Sequence, residues 1–549
     1  MQDKDRGIQH VGDIGSNSPS SEVDDMRGPA AHMKHSAKGI LLVPQPSDDP
    51  RDPLNWSAFK KGVTLAVVCL AAWSVLLQAL ANASGFFFQA ELYNTTPTEI
   101  TYAVSATVGG LVVGPWVWAP VARRLGKAAV IFYCMLATMC CNIWSASMTK
   151  DTQYVPFVIS RLFAGIFSSA AITRKSATRY DQAVLTDSMT TVGSNFITEL
   201  FFLHDRGKCF ALYTFSILMG AVSGATFSGY IVEKVSWTVQ FWYNVGFEAA
   251  IALLMFLFVD ETLWPRAEQP DIPLPPANRL SRRLATYLFT QRLTRKQTKE
   301  EVIQSITLQF LITISPVTIL IGSTLMIFYG WGIAMNTFLS IFLQNPVKEG
   351  GYGFSPERNA SFTFVTWFGA FVAEVYGTLI GDRLPLAICS RHGGTWKPEY
   401  RLHNTWFPLL VCMPLSTGLF GGSLYFHWNY MVLAVAVFLS NFGAVAAFPA
   451  LLNYVVEAFT PKYANEVTVA LNTWRSILSI AISFFLFPWA DKVGINWAFG
   501  MMSFFTIMAY GSVVACMFAG PFLRKYSLVR VKSEAGIQIV EDDTKEVAA

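Results

Sequence analysis

Four ionisable residues stand inside stretches that would otherwise dissolve in hydrocarbon: Arg161, Glu248, Glu374 and Arg475. A charge at the centre of a membrane helix costs roughly 2.5 to 3.5 kcal/mol on insertion scales, so each needs an inward-facing reason. Desolvation disfavours the charged form of a carboxylate, so one held away from water can load and release a proton near neutrality. Glu248 and Glu374 are the expected proton carriers, and Arg161 is a fixed cation able to bias a nearby carboxylate. Static ion pairs or interior hydrogen bonds are the competing account, strongest for Arg475 beside the polar Asn472.

Asn336, an uncharged amide in an apolar run, is expected to face protein or water, and with Tyr376 and Arg475 it forms the candidate substrate cavity. Flat rings bind apolar and cationic organics with little directional demand. Phe328, Tyr329, Trp331, Trp367, Trp242 and Tyr243 are available for that purpose, although most aromatic residues in such a chain pack or face lipid.

These residues need a membrane to position them, and the composition supplies one. Of the 549 residues 52% are hydrophobic and only 14% charged, with a mean hydropathy of +0.38, far from soluble composition. The net charge of +4 is small and the basic residues collect in short connections, which argues against nucleic-acid binding. The eight cysteines give no disulfide framework, and Cys140 and Cys141 have no neighbouring histidine to suggest metal. No nucleotide loop, paired-histidine motif or nucleophile elbow is present, so an enzyme with a cofactor or metal is the weakest reading.

Apolar runs of about twenty residues, the length that crosses a bilayer as a helix, recur near 63–83, 101–121, 128–148, 154–203 (interrupted), 209–231, 239–259, 316–340, 360–380, 405–426, 430–451, 467–488 and 497–519. The expected fold is an all-α membrane protein of twelve transmembrane helices in two six-helix halves. Residues 1–58 read as a disordered cytoplasmic tail, 59–259 as the first half, 260–309 as a cytoplasmic linker, 310–520 as the second half and 521–549 as a cytoplasmic tail. Basic residues after alternate spans, such as Arg123 and Arg124 after the second and Arg282 and Arg283 after the sixth, place both termini in the cytoplasm. The sequons at Asn94 and Asn359 then fall outside, as glycosylation candidates. Gly110 and Gly114 in the second span, and Gly220 and Gly224 in the fifth, repeat at a spacing of four that lets helix backbones approach closely.

The segments DPRDPLNW, GPWVWAPVARRLGK, LFAGIFSS, the glycine-rich fifth span, DETLWPR, SRHGGTWKPEYRL and LNTWRSILS together resemble fungal twelve-span drug:proton antiporters of the major facilitator superfamily. The resemblance covers nearly the whole chain outside the tails and one insert. It implies proton-coupled efflux of a small organic molecule by a monomer in the lipid bilayer, most simply the plasma membrane, and it associates Arg161 with coupling. Two departures stand out. The loop after the second span has Arg123-Arg124-Leu125-Gly126-Lys127 where the family often places an aspartate before the arginine, while Asp382-Arg383 keeps that pair in the second half; these four residues are the candidate conformational latch. The family's Gly-Pro pair in the fifth span is Gly224-Ala225.

Within the fourth run, Ile172 to Met189 carries Arg174, Lys175, Arg179, Asp181 and Asp187, a load that cannot cross hydrocarbon unpaired. Joining Ala171 to Thr190 restores one continuous helix, so 172–189 reads as an in-frame insertion; the alternative ends the span near Thr173 and leaves a cytoplasmic loop. Uptake of a polyamine or other nutrient cation, and a non-transporting receptor or scaffold on the same fold, are the rival functions.

Overall fold

A computed structural model describes residues 45–172, 196–262, 276, 278–288, 299–392 and 396–526, with gaps at 51, 83, 126, 198, 350, 382 and 460–462. The elements below belong to one compact unit that begins at Ser47. Most of the expected tails, the insertion 172–189 beyond Ile172, much of the linker and Asp382 lie outside the described residues.

The first half contains α1 (Ala58–Leu80), α2 (Phe86–Tyr93), α3 (Pro97–Leu125), α4 (Lys127–Ala146), α5 (Tyr154–Ser168), α6 (Leu203–Lys234) and α7 (Val239–Phe258). Two linker helices follow, α8 (Arg279–Tyr287) and α9 (Lys299–Thr313). The second half contains α10 (Pro316–Gln344), α11 (Pro356–Phe362), α12 (Phe364–Tyr376), α13 (Arg383–Arg391), α14 (Met413–Tyr425), α15 (Tyr430–Phe459), α16 (Ala464–Val493) and α17 (Ile495–Lys525). Among the described residues eleven helical stretches are long and apolar enough to cross a membrane. The twelfth position is taken by α5, whose fifteen residues stop where the interruption begins. Both flanks of that interruption are packed: Ala170 against Ala122, Val130 and Cys134, and Phe196, Ile197 and Leu200 in the core of the first half.

Helix ends follow local chemistry. Ser57 caps α1 by accepting from the Lys60 amide, and Ser355 caps α11 ahead of Pro356, whose missing N–H costs nothing there. Asn94 ends α2 in the left-handed region (φ 51°), which asparagine tolerates better than most residues. Between spans the surface stays apolar: Phe504, Met508 and Phe518 on α17 are 64%, 72% and 84% exposed, which is stable only where lipid is the solvent. Glycines set the tightest contacts. A side chain at Gly224 would collide with the Leu77 carbonyl and one at Gly220 with the Trp73 carbonyl, bringing α6 against α1; Gly110 and Gly114 do the same for α3 against α5.

The two ends of the bundle differ. At the far end, opposite the start of α1, one apolar core is shared by both halves, with Tyr93, Phe157 and Phe241 from the first and Trp331, Phe420 and Phe499 from the second. At the tail end the cores are separate, one built on α1, α4 and α7 and one on α10, α15 and α16. Polar contacts join the halves along two seams. Ser105 donates to Ser483 at 2.7 Å and Trp116 Nε1 to Thr473 at 3.2 Å on the α3–α16 seam, while the Thr226 and Thr363 hydroxyls meet at 2.6 Å on the α6–α11 seam.

The linker is more structured than a polar connection. Tyr287 of α8 donates its hydroxyl to the carbonyls of Met255 (2.9 Å) and Val259 (3.2 Å), and burial pushes its phenol up. Asp260 pairs with Lys60 at 2.6 Å and with Arg283 at 3.4 Å, tying α8 to the tail end of the first half. On the other side, Trp474 Nε1 donates to the Thr313 carbonyl at 3.0 Å, fixing α9 to α16.

Candidate functional site

Among the described residues Arg161 is the largest side chain to be almost wholly buried, at 1% exposure. It comes from the third turn of α5, a helix with its apolar residues on both sides of this position. One guanidinium nitrogen donates to Asn142 Oδ1 of α4 at 3.0 Å, and the other to the carbonyl of Gln78 on α1. The plane lies 5.3 Å from the Phe241 ring centre, on α7. Asn142 then turns its amide to Glu248 of α7, donating to both carboxylate oxygens at 3.1 and 3.0 Å. Arg161, Asn142 and Glu248 thus form one buried chain across three helices, with the amide standing between cation and carboxylate. Glu248, 3% exposed, also lines a small cavity with Ser74, Thr138, Phe167 and Ser168. A carboxyl that faces a cavity on one side and a fixed cation on the other can exchange a proton without leaving its place.

The second half holds a different arrangement. Arg475 of α16 stands over two rings, 5.0 Å from Tyr329 and 5.2 Å from Phe448. Glu374 lies on α12, which packs against α15, the helix that carries Phe448. Asn336 exchanges amide hydrogen bonds with Asn441 of α15, both at 3.4 Å. Tyr376 is committed elsewhere, donating to the Asn404 carbonyl at 3.1 Å.

Of the remaining expectations, Arg383 begins α13 with an exposed side chain. Arg123 and Arg124 lie in the last turns of α3, and their side chains, with Asp382, lie outside the described residues. Asn94 is exposed. Asn359 is not: it is fully buried and donates its amide to Ser340 at 3.1 Å, so in this conformation it cannot carry a glycan. The aromatic candidates divide likewise, with Phe328 and Trp331 in the core and Trp242 exposed on the outer surface.

Several residues were missed from sequence. Asn142 is central, and the rule applied to Asn336, that an amide in an apolar run faces inward, would have found it. A tail-end cluster was missed too: Arg401 pairs with Glu457 at 2.6 Å, Trp396 Nε1 donates to the same carboxylate at 3.2 Å, and Arg524 pairs with Glu399 at 2.6 Å.

The model of the Major Facilitator Superfamily matches residues 182–483, more than half of the chain. The chain belongs to this superfamily. Among its relatives are the MFS-type efflux pump MFS2 of Trichophyton rubrum, 26% identical over 502 residues that span 87% of this chain and 77% of the pump, and the multidrug transporter mdrA of Aspergillus fumigatus, 23% identical over 509 residues, 91% of this chain and 77% of that one. The xylose transporter XylE from E. coli is similar in fold, with a TM-score of 0.54 at 14% identity over 84% of this chain and 97% of that structure. This member of the superfamily is therefore an integral, multi-pass transporter of twelve helices in two halves.

Proposed function

We propose that the protein exports a small organic molecule, a drug, toxin or secondary metabolite, in exchange for protons by alternating access. The observation that carries this reading is the buried chain Arg161–Asn142–Glu248, in which a carboxylate is held beside a fixed cation and opens onto an internal cavity. A charge pair this deep is a poor stabiliser, since the desolvation of both ions offsets most of their attraction; an exchangeable proton gives it a purpose. Relatives named as an efflux pump and a multidrug transporter support the direction of transport. Glu374 of α12 is the second proton candidate, and Asn336 with Asn441 and Arg475 is the candidate surface for substrate.

The proposed setting is the plasma membrane, with both termini in the cytoplasm and the tail end of the bundle on that side. The far-end core common to both halves then closes the outer side, and the separate tail-end cores allow the halves to part toward the cytoplasm. A growth and accumulation screen in cells lacking their own exporters identifies the substrate. In everted vesicles that substrate should accumulate only when the interior is acidic, and Glu248→Gln should abolish the dependence on the gradient. Accumulation that ignores the gradient in the unaltered protein sinks the antiport reading.

A further inference from the structure

Beyond Glu248 the first half contains a second buried polar feature, made of amides alone. On α7, Gln240, Asn244 and Glu248 follow one another at i, i+4 and i+8, so they share one face over a rise of about 12 Å. On α1 and just past its end, Gln78 and Asn82 repeat the same spacing. Gln89 of α2 completes the set at the far end: it donates to Asn82 Oδ1 at 2.6 Å, and Gln240 donates to the same oxygen at 3.2 Å. All five amides are at most 1% exposed.

Six of their polar atoms have no hydrogen-bond partner among the described residues: Gln78 Oε1, Asn82 Nδ2, Gln89 Oε1, Gln240 Oε1 and both Asn244 atoms. Such atoms carry a desolvation cost that a packed apolar side chain would avoid. Internal water removes that cost where several polar groups converge, and a run of donors and acceptors at helical spacing provides such places in sequence. The row ends at Glu248 on one side. On the other it reaches Gly85, where a Cβ would stand 3.1 Å from Gln240 Nε2, and the half-buried Trp237.

We propose that these amides hold a chain of water through the first half, by which protons reach Glu248 from the far end without passing through the space between the halves. The path rests on the reading of Glu248 as a proton carrier. From Glu248 the cavity lined by Ser74, Thr138 and Ser168 continues toward the tail end. The charged and titratable groups facing the carboxyl are Arg161 of α5 and the Cys141 thiol of α4, while α1 contributes Ser74 and Gln78. Access is therefore gated by water held on neutral amides, and no other carboxylate is needed to relay the proton.

The test uses the full chain tethered by its tail end beneath a supported bilayer, so that changes of bulk pH meet the far face. The carboxylic C=O band of Glu248, identified by its loss in Glu248→Gln, is followed by infrared difference spectroscopy after a pH jump. Asn244→Val and Gln240→Leu should slow the response at least tenfold, Asn244→Val with thermal stability kept or raised, since it removes two orphaned polar atoms and no hydrogen bond. Asn244→Ser, which keeps a hydroxyl to hold water, should respond like the unaltered protein. Equal rates in Asn244→Val and the unaltered protein overturn the path and leave the coupling role of Glu248 standing, as does a band change produced by sodium ions at constant pH. Proton-driven transport that survives Glu248→Gln overturns the coupling role, and the path falls with it.

Discussion

Asn142→Leu is the most informative single change, because leucine has the same number of side-chain heavy atoms and lacks the amide that stands between Arg161 and Glu248. The structure sets the size of the effect. Arg161 loses the acceptor at 3.0 Å but keeps the Gln78 carbonyl and the Phe241 ring, while Glu248 loses the donor that spans both its oxygens. A hydrogen bond to a charged group contributes about 1.5 to 3 kcal/mol, so two together are worth about 3 to 6 kcal/mol. That is a large share of the total stability of a folded protein, about 5 to 15 kcal/mol. Equilibrium unfolding in mixed detergent micelles, followed by tryptophan fluorescence, measures the loss. In the triple variant that adds Arg161→Met and Glu248→Met, most of it should return, because an apolar replacement of a whole buried ionic group is often neutral or stabilising. A loss below about 1 kcal/mol for Asn142→Leu, the size of an ordinary neutral bond, or no recovery in the triple variant, refutes the description of these three residues as one unit.

Other outcomes follow from the same structure. Glu457→Leu leaves the nearly buried Arg401 without its carboxylate and should cost about 3 to 5 kcal/mol in the same unfolding assay, most of it recovered by adding Arg401→Met. Gly224→Val forces a side chain onto the Leu77 carbonyl and should destabilise by about 1 to 3 kcal/mol, read as a lower yield of monodisperse protein and an earlier unfolding midpoint. Removal of glycans should shift the electrophoretic mobility of the protein from a eukaryotic host; Asn94→Gln should abolish the shift, and Asn359→Gln should leave it in place.

Much of the fold is legible in the sequence because the bilayer enforces a simple rule: about twenty apolar residues per crossing and no unpaired backbone in lipid. Helix limits were less legible. The helices around the tenth and eleventh runs extend beyond the apolar stretches, as Tyr430–Phe459 and Ala464–Val493 show, since polar residues at the interface continue the hydrogen-bond ladder, while the first helix, Ala58–Leu80, starts earlier than its run and ends before it. The far-end helix α2 and the linker helix α8 escaped notice because neither is long enough to cross, and α8 is fixed by contacts of Tyr287 and Arg283 with distant residues. At the site, the four intramembrane charges were visible as such, but their partners depended on the register of α4 against α5 and α7, which no local pattern encodes. The sequon at Asn359 shows the converse failure. Its motif is local, whereas α11 is folded into the bundle beside Ser340. The run 172–189 remains a proposal of the sequence, in which an in-frame insertion interrupts α5; the mature transcript tests it.

The central claim is that Glu248, held by Asn142 beside Arg161, carries the exchanged proton. Its most direct test compares Glu248→Gln and Glu374→Gln with the unaltered protein in everted vesicles, measuring uptake of the substrate found by the growth screen across a range of imposed pH gradients. The account predicts that Glu248→Gln still binds and exchanges substrate but no longer accumulates it against a gradient at any pH. Unchanged pH-dependent accumulation in Glu248→Gln would contradict it, whatever Glu374→Gln does.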